Sequence, residues 1–167
     1  MIETPQQYTQ RMLGYTEGQT PMAVQAATAD KLERLIDGVP IATLRKRPAP
    51  DRWSVNEILA HLADAEIVSS FRIRMVLGCP GAPIPAYDQN AWVISGHYAE
   101  RDPRQSLEQF RVLRAGNLAL LESLDPDQWT HYGMHSERGQ ESIEHMARML
   151  AGHDINHVRQ IEQLLGG

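Results

Sequence analysis

Ala151–Leu165, AGHDINHVRQIEQLL, places His153 and His157 four residues apart in a stretch of helical periodicity. On a helix, residues i and i+4 share a face with Cβ atoms about 5–6 Å apart, so two imidazoles at that spacing can converge on one ion. Ile143, Met146, Ala147, Leu150, Ile161 and Leu164 recur at steps of three and four, and their stripe continues through both histidines. The rings are therefore expected to face a packed interior. A buried polar atom without a partner costs roughly 1–3 kcal/mol, and one ion shared between the rings would give a partner to each.

This stretch closes the fourth of four long helices, spanning about Gln140 to Leu165. A short helix from Thr4 to about Tyr15 comes first, with Thr4 as N-cap and Pro5 in the first turn. Thr20 and Pro21 repeat that signature and open the first long helix, which runs to about Asp37 and is ended by Gly38 and Pro40. Its apolar residues Met22, Val24, Ala27, Leu32, Leu35 and Ile36 are irregular in phase. The second begins with a capping box, Ser54 and Glu57, with Trp53 placed to pack on Ile58 as a hydrophobic staple. It runs to about Leu77, and Ile58, His61, Leu62, Ala65 and Ser69 fall on one side. The third starts at Asp102 and Pro103 and carries Leu107, Phe110, Leu113, Leu118 and Leu121 to about Leu124. Its Gly116 either weakens the helix by about 1 kcal/mol or marks a close helix contact.

The connections are read as irregular. Ile41–Asp51 and Gly78–Pro85 are rich in proline and glycine and should be loops. AYDQNAWVISGHY suggests a short helix over the end of the bundle, and Trp129, His131 and His135 sit in a loop leading to Gly139. With almost no β-branched alternation, the chain reads as all-α, a four-helix bundle with long connections forming one domain over residues 1–167.

Composition narrows the partners. The 167 residues carry a net charge of −5, and no long basic stripe appears, which argues against nucleic acid. Arg45, Lys46 and Arg47 read as a solvated connector. Cys79 is the only cysteine, so there is neither an internal disulfide nor a thiolate metal cluster, as fits a reducing cytoplasm. MIETPQQYTQ lacks the pattern of a signal peptide, and no window reaches the ~18 apolar residues needed to span a bilayer. A soluble cytoplasmic protein without membrane partners is expected.

His61, on a second apolar face, is the natural third ligand beside His153 and His157. Neutral imidazoles suit zinc and its neighbours, and three of them without a thiolate or carboxylate leave a position for water or substrate, the pattern of a reactive site. Asp154 follows His153 where a HExxH protease has its glutamate, so a protease of that type is not indicated. The spacing alone leaves open that these are core histidines hydrogen-bonded to neighbours. Glu57 is explained by its capping box, although it could also accept from His61. Asp64 and Asp154 could each orient an imidazole or simply be exposed. Gln160, one turn beyond His157, could touch a metal-bound water or bridge helices. Surface roles are expected for His97, His131, His135 and His145.

RPAPDRWSVNEILAHLADAE (Arg47–Glu66) and AGHDINHVRQIEQLL resemble, in order and separation, the two signature blocks of the DinB superfamily, the DinB/YfiT-like four-helix metalloenzymes. The resemblance covers most of the chain. It implies a bundle in which His61, His153 and His157 hold a divalent ion, zinc or nickel foremost, and a loop bearing Tyr87 and Asp88 that closes over the metal end and contacts a small-molecule substrate. It also implies a homodimer, for which exposed apolar surface on the first and third long helices would serve. The activity implied is transfer of a low-molecular-weight thiol such as bacillithiol, mycothiol or glutathione to an electrophile. Metal-dependent hydrolysis and a non-catalytic, metal-stabilised dimeric bundle are the alternatives. No acid or base residue is assigned, and the family's link to DNA damage implies no DNA binding.

Overall fold

The computed structural model describes residues 3–166. Its helices are α1 (Pro5–Tyr15), α2 (Pro21–Ile36), α3 (Ile41–Leu44), α4 (Val55–Gly78), α5 (Gln89–Ser95), α6 (Pro103–Glu122), α7 (Pro126–Thr130) and α8 (Ile143–Leu165). Three short strands, β1 (Pro83–Ile84), β2 (Tyr132–His135) and β3 (Gly139–Ser142), form one sheet in that order. The four long helices α2, α4, α6 and α8 form the bundle, in which α4 and α2 each pack against both α6 and α8, and α1 lies along α8.

Helix starts follow local chemistry. Thr4 and Gln7 form a capping box, as do Ser54 and Glu57, and Asp102 accepts from the amides of Arg104 and Gln105 at 2.9 and 3.0 Å. Such caps stabilise a helix start by about 1 kcal/mol each. Trp53 packs against the core cluster that contains Ile58, as a staple requires. Every residue from Ser54 to Glu66 is buried, so the first half of α4 is enclosed on all sides. The fourth side is supplied by the connection after it: α5 and the chain beyond it bring Val93 and Tyr98 onto Ala60, and Asn56 donates to the Tyr98 carbonyl at 2.8 Å. The expected short helix thus lies on the flank of α4.

The core has two apolar halves. One gathers Leu32, Ile36, Ile58, Leu62, Phe110 and Ile161; the other Ile73, Val76, Ile84, Leu121, Ile143 and Ala147. Between them, on all four long helices, lies a polar layer. Arg114 of α6 donates to Asp154 of α8 at 2.5 and 3.0 Å, to Glu66 of α4 at 2.6 Å and to the Gln25 carbonyl of α2 at 3.0 Å. Thr28 of α2 stands 2.9 Å from Asp154, and Asn117 donates to Glu66 at 2.9 Å. This layer explains the irregular phase of α2: its buried face reads Val24, Gln25, Thr28, Ala29, Leu32, Ile36, with two polar members. On α6 the buried positions are Pro103, Ser106, Leu107, Phe110, Arg114, Asn117 and Leu121, whereas Leu113 and Leu118 are only half-buried.

Several expectations are corrected. The sheet was not foreseen. Gly78–Pro85 contains edge strand β1, parallel to β2, where a proline is tolerated because no ladder amide is needed from it. Gly139 turns the β2–β3 hairpin with φ +82°, so α8 begins at Ile143 with Ser142 as its cap, later than Gln140. Ile41–Leu44 forms one helical turn inside a segment read as irregular, and Trp129 lies in α7. Arg47 is not merely solvated: it forms a salt bridge with the buried carboxylate of Glu57. Gly116 meets nothing within 4 Å, so it marks no helix contact. The close approach is at Gly152, where a Cβ would collide with the Met12 carbonyl, letting α1 lie directly on α8 beside His153. Of the exposed large apolar side chains, Val112 is on α6 and none is on α2; Ile67, Phe71 and Met75 form a stripe on α4 instead.

Candidate metal centre

His61 projects from α4, two turns after its capping box, toward α8. His153 and His157 meet it from one face of α8. The Nε2 of His153 lies 2.9 Å from the Nε2 of His61 and 3.1 Å from that of His157. The ligand-capable atoms of the three rings all fall within 4.8 Å of one another. Trp53 covers the group, tilted against His61 with centroids 5.0 Å apart and stacked with His157 at 6.5 Å.

The protonation of this cluster can be worked out from its neighbours. Gln160 Oε1 lies 3.0 Å from His157 Nδ1, so that nitrogen donates and the neutral ring turns its Nε2 lone pair toward the other two. Burial lowers the pKa of all three rings, most strongly for His61 and His153; His157 lowers His61 further, and His157, His61 and Arg114 lower His153, while His157 itself, raised by Gln160 and lowered by Arg11, comes to about 4. At neutral pH the rings are therefore uncharged. Three neutral Nε2 atoms at these separations cannot all find hydrogen-bond donors in one another, because His153 Nε2 carries either one proton or one lone pair while facing two partners. A cation among them satisfies all three at once, and neutral imidazole is the form a metal takes. The residues thus fit a divalent ion.

The other predicted site residues are distributed as follows. Gln160 holds the His157 ring rather than bridging helices. Tyr87 and Asp88 line a cavity of about 430 Å³ that reaches His153, and Asp88 also caps α5 through the amides of Asn90 and Ala91. Glu57 engages Ser54 and Arg47 and leaves His61 alone. Asp64 is buried, not exposed, and takes the Tyr98 hydroxyl at 2.7 Å and Arg101 at 2.9 Å, so it orients no ligand. Asp154 belongs to the polar layer. His97 is exposed, and His131 and His145 are half-buried. His135 is the correction among the four: it is buried and lines the cavity. In YGMH the buried positions are Gly133 and His135 and the exposed ones Tyr132 and Met134, so hydrophobic alternation gave no signal for it. Arg114 and Glu66 gave no sequence signal beyond falling at helical spacing among apolar residues.

An α-helical bundle with three converging imidazoles on two helices, and a cavity leading to them, defines the class. Within it, the chain belongs to the DinB superfamily, whose model matches residues 26–161. Among curated proteins it is 26% identical over 113 residues to "Putative metal-dependent hydrolase YfiT" of Bacillus subtilis (strain 168), covering 67% of this chain and 64% of that one, a little under two thirds of its length. It is 20% identical over 133 residues to "Putative metal-dependent hydrolase OB0413" of Oceanobacillus iheyensis, covering 80% of this chain and 76% of that one. A solved structure, described as YfiT from Bacillus subtilis, a probable metal-dependent hydrolase with an unusual four-helix bundle topology, superposes with a TM-score of 0.81 at 23% identity over 86% of this chain and 83% of that one. That likeness shows the four-helix bundle fold. Among the described residues, no helix is long and apolar enough to cross a membrane.

Proposed function

We propose that this chain is a metal-dependent enzyme acting on a small molecule, with His61, His153 and His157 as the ligands of one divalent ion. The observation that carries the reading is the set of Nε2 atoms 2.9 and 3.1 Å apart, with the His157 lone pair fixed inward by Gln160. The relatives' names support metal dependence, and the cavity favours an enzyme over a purely structural site, since it gives a substrate access to His153. Zinc and nickel are the ions proposed, both suited to imidazole.

When bound, such an ion lowers the pKa of a coordinated water or thiol and so supplies a nucleophile near neutral pH. The chain's own residues do the rest. Gln160 fixes the tautomer of His157, and Trp53 shields one side of the cluster from water. Tyr87 and Asp88 stand at the cavity wall as substrate contacts. Burial raises the pKa of the Tyr87 phenol, which stays protonated and able to donate.

Two reactions share this machinery: hydrolysis, the reaction in the relatives' names, and transfer of a low-molecular-weight thiol to an electrophile. They separate by a single comparison on the metal-loaded protein, turnover of model esters, amides and electrophiles with and without glutathione, bacillithiol or mycothiol. Turnover that requires a thiol identifies a transferase, and turnover in water alone a hydrolase. His61→Ala should abolish either while leaving the chain folded; a variant that keeps full turnover would refute the ligand assignment. A single domain over residues 1–167, working in the cytoplasm as a homodimer, completes the proposal. Sedimentation of the purified protein tests the last point.

A further inference from the structure

The cavity runs away from the histidines along two helical stripes. On α4, His61 is followed at steps of three and four by Ala65, Val68 and Arg72; on α8, His153 is preceded by Leu150 and Met146. From 61 to 72 is eleven residues, so at 1.5 Å per residue the Arg72 end lies about 16 Å along the helix from the histidine end. Between the two ends the helical lining is Ala65, Val68, Met146, Met149 and Leu150 with Ser69 as its one polar member, and Thr4 and Tyr8 face it from the α1 side.

Arg72 is half-buried, yet among the described residues it forms no ion pair. One of its N–H groups donates to the Pro85 carbonyl at 2.6 Å, and its guanidinium lies 5.8 Å from the centre of the Tyr87 ring. The carboxylates of the same wall are otherwise engaged or at the mouth. Glu141 is held by Arg138 at 2.6 and 3.1 Å, Glu3 by Arg11, Asp88 caps α5, and Glu137 is exposed. Beside Arg72 stands His135, whose Nδ1 accepts from the Glu137 amide at 3.2 Å. Its proton is therefore on Nε2, a buried atom with no partner among the described residues. A half-buried guanidinium that Glu141 and Glu137 reach only at longer range, with no carboxylate in contact, and a buried N–H without an acceptor are both costly unless something arrives to satisfy them.

We propose that the cavity binds an elongated small molecule with an anionic group, a carboxylate in the first instance, held by Arg72 and His135, and an apolar middle that lies along α4 and α8. The proposal rests on the metal-enzyme reading only in placing the reacting end of that molecule at the histidines. Burial and the nearby Arg138 cation press the Arg72 pKa down more than Tyr87, Glu141 and Glu137 hold it up, and an anion in contact would tip that balance back.

The test is calorimetric titration of octanoate and of octan-1-ol, probes of equal chain length that differ in charge, into the purified protein as isolated and after metal removal by EDTA. Octanoate should bind at least about tenfold more tightly than octanol in both preparations, the worth of a charge-assisted hydrogen bond. Arg72→Gln should erase that preference, and Arg72→Lys, which keeps the charge and guards against a folding defect, should retain most of it. Equal affinity for the two probes, no octanoate binding, or a preference that survives Arg72→Gln would overturn the proposal. The last result, seen only in the metal-containing preparation, would place the carboxylate at the histidines instead. Because the EDTA-treated arm needs no metal, failure of the metal-enzyme reading would leave the Arg72 result standing, and the two failures are distinguishable.

Discussion

Two buried polar clusters sit side by side in the middle of this bundle, and they are built on opposite principles. In the layer of Arg114, Glu66 and Asp154 all four carboxylate oxygens accept hydrogen bonds and charges of opposite sign are in contact, with Arg114 Nε the guanidinium donor left over among the described residues. In the cluster of His61, His153 and His157, like groups face one another and no arrangement of protons satisfies all of them. Asp154 and His153 are adjacent in sequence, so the contrast is not one of location. One network is closed on its carboxylates and ties four helices together, while the other leaves lone pairs that a ligand could take. Burial alone does not tell them apart; the balance of donors and acceptors does.

The largest effect is expected at Arg114. Arg114→Met would leave Glu66 and Asp154 buried and uncompensated, at a cost of about 3–5 kcal/mol, and thermal denaturation should show a large loss of melting temperature or failure to fold. The neighbouring carboxylates hold the Arg114 pKa up against the opposing effect of burial, so the wild-type guanidinium stays charged. A small effect would mean that the layer contributes little to holding the helices together.

Acidification separates the clusters next. A histidine of the unfolded chain titrates near 6.5, whereas burial brings folded His157 to about 4 and lowers His61 and His153 as well. Below about pH 6.5 the unfolded chain takes up protons that the folded one refuses. The stability of metal-free protein should therefore be complete above about pH 6.5 and fall by about 1.4 kcal/mol per pH unit for each ring as the pH drops toward 4. Denaturant titrations across that range would show it, and His157→Gln should flatten the slope by one ring's share. A slope unchanged by that substitution would place the acid sensitivity elsewhere.

The smallest effect is expected at Gln160. Gln160→Ala leaves the polar layer untouched and removes the acceptor that orients His157, so metal affinity should weaken by about 10–100-fold with little change in metal-free stability. Competition with a chelator reads the first quantity and denaturation the second.

The same contrast explains what the sequence disclosed. HxxxH on an apolar stripe, and a histidine beyond a capping box, were enough to suggest the metal cluster, because imidazoles in a run of leucines and alanines stand out. Caps at Thr4, Ser54 and Asp102 located helix starts because their partners are a few residues away. The polar layer was illegible because its members come from four helices, and Gln25, Thr28, Arg114 and Asn117 each look like a surface residue until the others are placed around it. The sheet escaped notice because YGMH and GQES contain no β-branched residue, so neither propensity nor hydrophobic alternation marked them, and His135 went with them.

Elemental analysis of tag-free protein, wild type beside His157→Ala, reaches the central claim most directly. About one divalent ion per chain in the wild type, and its loss from a variant that keeps its helical signal, is the predicted result. A wild type that takes up no ion from zinc or nickel solutions, or a variant that retains the full complement, would contradict the metal centre.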